Sequence, residues 1–123
     1  MNKGSAFWKK MKRDKEDGQM NIYRNLYVGE SIKGKEKSIL RKIKYRRPQL
    51  QAYVIVLSQK EGEQLEIYHA AMLLQPLYFE KDPWIVGIAA SEWEAYELVR
   101  KIAEEVHEAT KTLEMKKYIQ ERI

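Results

Sequence analysis

"WIVGIAASEWEAYELVRKIAEEVHEA", residues 84–109, changes its hydrophobic period halfway along. Residues 84–90 are apolar or small without a break, the pattern of a short strand buried on both faces. Ser91 follows, with Glu94 three residues later. That is the spacing of a capping box, in which a hydroxyl accepts from one free helix N–H and a carboxylate returns to another. Beyond it, Ala95, Val99, Ile102, Ala103 and Val106 recur at helical spacing, while Arg100, Lys101, Glu104, Glu105 and Glu108 fall outside the stripe. A buried strand that feeds into an amphipathic helix ending near Ala109 is the repeating unit of an α/β protein.

The same grammar runs back toward the start of the chain. Residues 21–31, NIYRNLYVGES, read as a first strand, with Ile22, Leu26 and Val28 on one parity and Tyr23 and Tyr27 on the other. Ser31 is placed to cap a helix through about Tyr45, unless Gly34 delays its start to near Lys35. On that helix Ile39, Leu40 and Ile43 form the buried side, and Lys33, Lys37, Arg41 and Lys44 form a basic row. Pro48 forces Arg47 out of helical geometry. A second strand then covers 50–58, continuously apolar from Tyr53 to Leu57, as strands of a parallel sheet covered by helices are. Gly62 marks a turn, and a well-buried helix is expected from Glu63 to Leu74, ended by Pro76. A last short helix is expected around Leu113 to Ile119.

The predicted architecture is a small layered α/β domain over residues 20–123, with about three strands, mostly parallel, and helices packed on the sheet. Residues 1–19 form a basic extension. They read either as a solvated tail or as a short helix capped by Ser5 that presents Phe7, Trp8 and Met11. The 123 residues suffice for a real core. The chain has no cysteine, which excludes disulfides and thiolate chemistry. No apolar run is long enough to span a membrane, and no apolar segment follows the basic start as a secretory signal requires. A cytoplasmic protein without cofactor or metal is therefore expected. The net charge of +5 is unevenly placed: residues 1–51 hold 15 Lys+Arg and 5 Asp+Glu, and residues 52–123 hold 8 and 13. A basic front on an acidic back favours an anionic partner, and it also permits head-to-tail self-association.

Catalytic motifs are absent: no P-loop, nucleophile elbow, zincin or dinucleotide fingerprint occurs. Glu66 and His69 stand at i, i+3 on the expected helix, but one metal needs more ligands than these two, and His69 reads as a packing residue. His107 sits late in an acidic helix, where the dipole favours it. The topology itself suggests a crevice beyond the strand ends, where Gly29, Ser31, Ala90 and Ser91 would offer backbone N–H groups to an anion. Lys37, Arg41, Lys44, Arg46 and Arg47 could track phosphates, with Tyr45 stacking on a base.

The first reading is a non-catalytic binding or accessory protein working through protein contacts. Its interface aromatics would be Phe7, Trp8, Tyr78 and Phe79, and a homo-oligomer is one form it could take. A nucleic-acid or anion-binding module using residues 33–47 is the alternative, and a small enzyme or ligand sensor at the strand-end crevice is the third.

Overall fold

A computed structural model describes residues 20–45, 51–74, 79 and 81–123. Four strands form one sheet: β1 (Asn21–Val28), β2 (Tyr53–Leu57), β3 (Leu65–His69) and β4 (Trp84–Ala89), in the order β1-β4-β2-β3. β1 runs parallel to β4, and β2 is antiparallel to both β4 and β3. Among the described residues three α-helices accompany them: α1 (Glu36–Lys44), α2 (Glu92–Thr110) and α3 (Met115–Gln120). The extension 1–19 lies outside the described residues.

The α/β class holds, with four strands in place of three and a mixed sheet in place of a mostly parallel one. Both differences have one source. The segment read as a helix over 63–74 is strand β3 followed by a 3-10 helix at Ala70–Leu74. Leu57 and Leu65 are register partners, and the Ser58 N–H continues the ladder to the Gln64 carbonyl at 3.0 Å. The loop between them turns at Gly62, whose φ of 86° is costly for any residue with a Cβ. In Leu65-Glu66-Ile67-Tyr68-His69 the pleat sends Leu65 and Ile67 to one core and Tyr68 to the other. The apolar Ala70–Leu74 run behind this alternation makes the whole segment resemble a helix. The unbroken apolar run of β2 reflects a central strand covered on both faces, whichever way its neighbours point.

The sheet separates two cores. On one side Tyr23, Ile55, Leu57, Val86 and Ala89 meet Ala95, Leu98, Ile102 and Val106 of α2 and Ile119 of α3. On the other side Val54, Val56, Ile85 and Ile88 meet Ile39 and Ile43 of α1, with Ile32 and Ala70. α1 and α2 therefore cover opposite faces of the sheet. No helix among the described residues is long and apolar enough to cross a membrane.

α2 ends at Lys111, which caps it with φ 60° and donates its N–H to the His107 carbonyl at 2.8 Å. A left-handed cap is the usual place for glycine, and a Cβ there is strained. Lys111→Gly is expected to raise stability by about 0.5–1 kcal/mol, read as a higher urea midpoint. A lower midpoint would mean the lysine side chain contributes more than its backbone strain costs.

Candidate functional site

The residues expected at the strand-end crevice come together because β1 and β4 are parallel neighbours. Val28 pairs with Ile88, and the Gly29 N–H extends the ladder to the Ile88 carbonyl at 2.9 Å. Beyond these ends, the donors converge on a carboxylate of the chain itself. Glu94 accepts from the Ala90 N–H at 2.8 Å, from the Ser31 N–H at 3.0 Å and from the Ser31 hydroxyl at 2.9 Å. Ser91 caps α2, its hydroxyl accepting from the Glu94 N–H at 3.1 Å. Half of the capping box is thus as expected, and the other half reaches further, to Ala90 and across to the β1 end. Ser31 starts no α-helix. Residues Glu30–Ile32 form a 3-10 turn, and α1 begins at Glu36.

Gly29 fits this arrangement by size. A Cβ on it would fall 2.3 Å from Glu94 Oε1. Burial raises the Glu94 pKa, but the hydrogen bonds from Ala90 and Ser31 outweigh it and hold the carboxyl below its ordinary value. The crevice therefore holds an internal anion, and its donors are directed at Glu94.

The basic row has a different character. Ile39 and Ile43 of α1 face the core, so Lys37 and Arg41 fall on its outward side, with half-buried Lys44 on its flank and Tyr45 just beyond the helix. Tyr45 is 56% exposed, and the Lys44 ammonium lies 5.4 Å from its ring centre. Among the described residues, Lys37, Arg41, Lys42 and Lys44 form no ion pair, nor do Arg24, Lys35, Lys60, Lys81, Lys101, Lys111 and Lys117, and what sets the α1 cations apart is their grouping on one short helix. Lys33 pairs with Glu30 at 2.8 Å, Arg100 is held between Glu97 and Glu104, and the Lys116 ammonium donates to the Ser58 and Lys60 carbonyls. Arg46 and Arg47, expected to continue the row, lie outside the described residues.

The structure shows exposed aromatic rings at positions the sequence reading did not single out. Phe7, Trp8 and Tyr78 lie outside the described residues, and Phe79 packs edge-on against Tyr68, ring centres 5.2 Å apart. Among the described residues, the exposed rings besides Tyr45 are Trp93, at 72%, and Tyr96, at 54%, on the first turns of α2. The sequence contained this signal. At about 100° per residue, Trp93 is nearly opposite Ala95, and Tyr96 stands well off the buried stripe.

The histidine pair dissolves with the helix that would have carried it. Residues i and i+3 of a strand point to opposite faces, which separates Glu66 from His69. His69 Nδ1 accepts from the Ala71 N–H at 3.0 Å, and its ring packs edge-on against Tyr53. Among the described residues, no group of three or more His, Asp or Glu is placed to hold a metal ion.

An open groove of about 560 Å3 runs beside β1 and α2, lined by Leu26, Tyr27, Lys33, Leu98, Lys101 and Glu105. Burial raises the Tyr27 pKa, and its hydrogen bond to Glu105 at 2.6 Å adds to this. That phenol is a donor, and it is not poised as a base. Comparison with known protein families, with curated proteins and with solved structures finds no match to the chain.

Proposed function

We propose that the protein is a non-catalytic binding module whose α1 face engages a polyanion, single-stranded nucleic acid foremost. The observation that carries this reading is the set of cations along α1, Lys37 and Arg41 exposed and Lys44 half-buried, that lack ion pairs among the described residues. Unpaired cations at helical spacing suit a phosphate backbone, whose neutralisation releases counterions and drives binding. The exposed ring of Tyr45 beside them offers a stacking platform, which favours a single strand over a duplex.

The test is fluorescence anisotropy of labelled single strands, duplexes and heparin as salt is varied. Replacing Lys37, Arg41 and Lys44 with Gln is expected to lower the slope of log K against log salt by about 2 and to weaken binding roughly 100-fold at moderate salt. Tyr45→Ala should weaken single-strand binding, by about 1–3 kcal/mol, and leave heparin binding unchanged. A wild-type protein that binds neither DNA nor RNA at low ionic strength would end the proposal.

A second reading, contact with another protein chain, is favoured by Trp93, whose 72% exposure is high for so large an apolar ring.

A further inference from the structure

Two helical faces of opposite character look away from the sheet in opposite directions. The outer face of α2 begins with Trp93 and Tyr96, and the helix carries Glu92, Glu94, Glu97, Glu104, Glu105 and Glu108 against Arg100 and Lys101. Glu94 and Glu105 turn to Ser31, Ala90 and Tyr27, and the remaining Glu92, Glu97, Glu104 and Glu108 outnumber Arg100, which Glu97 and Glu104 share, and Lys101, so the outward side of α2 is net negative. α1 carries Lys37, Arg41, Lys42 and Lys44 against Glu36, followed by exposed Tyr45. Each face therefore repels its own copy and complements the other, in charge and in having an aromatic contact of its own.

We infer that the α2 face of one molecule docks on the α1 face of a second copy, head to tail. Because α1 and α2 cover opposite faces of the sheet, a molecule that docks its α2 keeps its own α1 free on the far side. The contact is heterologous, and it continues from copy to copy instead of closing as a two-fold dimer. One helix face on another lies at the small end of interfaces, below about 1,200 Å2, and is weak. Its dissociation constant should fall between about 1 µM and 1 mM. Salt should weaken it further by screening the charges. The inference uses the same cations as the polyanion reading and does not depend on it.

Sedimentation velocity on the full chain tests it with two variants. Trp93→Ala with Tyr96→Ala removes the α2 face, and Arg41→Glu with Lys44→Glu removes the α1 face. Far-UV circular dichroism and urea unfolding confirm that each is folded, and Trp93→Ala alone replaces the first pair if that pair is not. The wild type is expected to grow with concentration past the dimer and to return to monomer in high salt. Each variant alone should stay monomeric. An equimolar mixture should give one-to-one dimers and nothing larger, since each partner supplies the face the other lacks. A wild type that stays monomeric at the highest reachable concentration overturns the inference. So does an α1-face variant that self-associates like the wild type, because that result assigns the contact to α2 against α2. Loss of nucleic-acid binding, read separately by anisotropy, bears on the polyanion reading alone.

Discussion

Glu94→Ala is expected to destabilise the protein by about 1–3 kcal/mol, although the side chain lies in the first turn of α2 near the surface. Its carboxylate accepts three hydrogen bonds, two from backbone N–H groups of separate segments and one from a hydroxyl. Removing it leaves the Ala90 and Ser31 amides without their partner and cuts the bridge between the end of β1 and the start of α2. Glu94→Gln should lose less, because the amide oxygen can replace one carboxylate oxygen while its NH2 group faces a donor. Gly29→Ala should lose part of the same energy by steric means. Its Cβ would displace a carboxylate that is held from three sides, and the backbone φ of −60° is open to alanine, so strain plays no role.

The pH dependence follows in sign. The folded protein holds this carboxyl below its ordinary value of 4.5, so its contribution is complete at neutral pH. It is lost as the pH falls from that ordinary value through the lower folded one. Urea unfolding of wild type and Glu94→Ala should therefore differ most at neutral pH and converge in acid. Equal midpoints at neutral pH would show that the carboxylate holds nothing together.

How much of this was legible in the sequence can be judged element by element. The 84–109 stretch was decisive because its period changes at a residue that caps a helix, and β4 and α2 follow it closely. β1 and β2 were legible from parity and from β-branched density. β3 was not, because its short alternation runs straight into Ala70–Leu74, and a propensity window averages the two. Losing β3 also lost the antiparallel pairing, since a hairpin requires a second strand after Gly62. At the crevice, spacing brought out Gly29, Ser31, Ala90 and Ser91. It assigned Glu94 only to its own helix, because a bond between residues 31 and 94 has no local signature. Of the basic row, Lys37, Arg41 and Lys44 fall on α1 as helical spacing predicts, whereas Lys33 precedes the helix and pairs with Glu30, a placement that depends on where the helix starts. The absence of ion pairs along it depends on tertiary placement and required the structure.

The two exposed faces follow from the same layered plan. A sheet buried on both sides must be covered twice, and each covering helix then has an outward side with no structural duty. In this chain those outward sides differ in sign, because the basic residues are concentrated before the second strand and the acidic ones after it. On the readings proposed above, a nucleic acid and a second copy compete for α1. The charge asymmetry of the sequence is thereby expressed as two separate surfaces, and it leaves both cores untouched.

Ile55→Ala is expected to cost about 3–5 kcal/mol, toward the upper end for an isoleucine, because of what stands opposite it. Ile55 is fully buried in the central strand β2, and its register partner on β4 is Gly87. An ideal Cβ at Gly87 would lie 3.0 Å from the Ile55 Cδ1 and 3.4 Å from the Leu98 Cδ2, so the isoleucine occupies the space that glycine leaves and bridges it to α2. When Ile55 is cut to alanine, Gly87 has no side chain with which to fill the gap, and the cavity persists at full size. Gly87→Ala alone should overpack the site and cost about 1–3 kcal/mol, and Ile55→Val alone should cost roughly 1 kcal/mol. Combined, the shorter side chain makes room for the added methyl, and the double variant should be more stable than the sum of the two losses by at least about 0.5 kcal/mol. Urea unfolding of the four proteins measures that coupling directly. Strict additivity would mean that the two positions do not share the space, and that glycine at 87 answers to some other constraint than the close approach of Ile55.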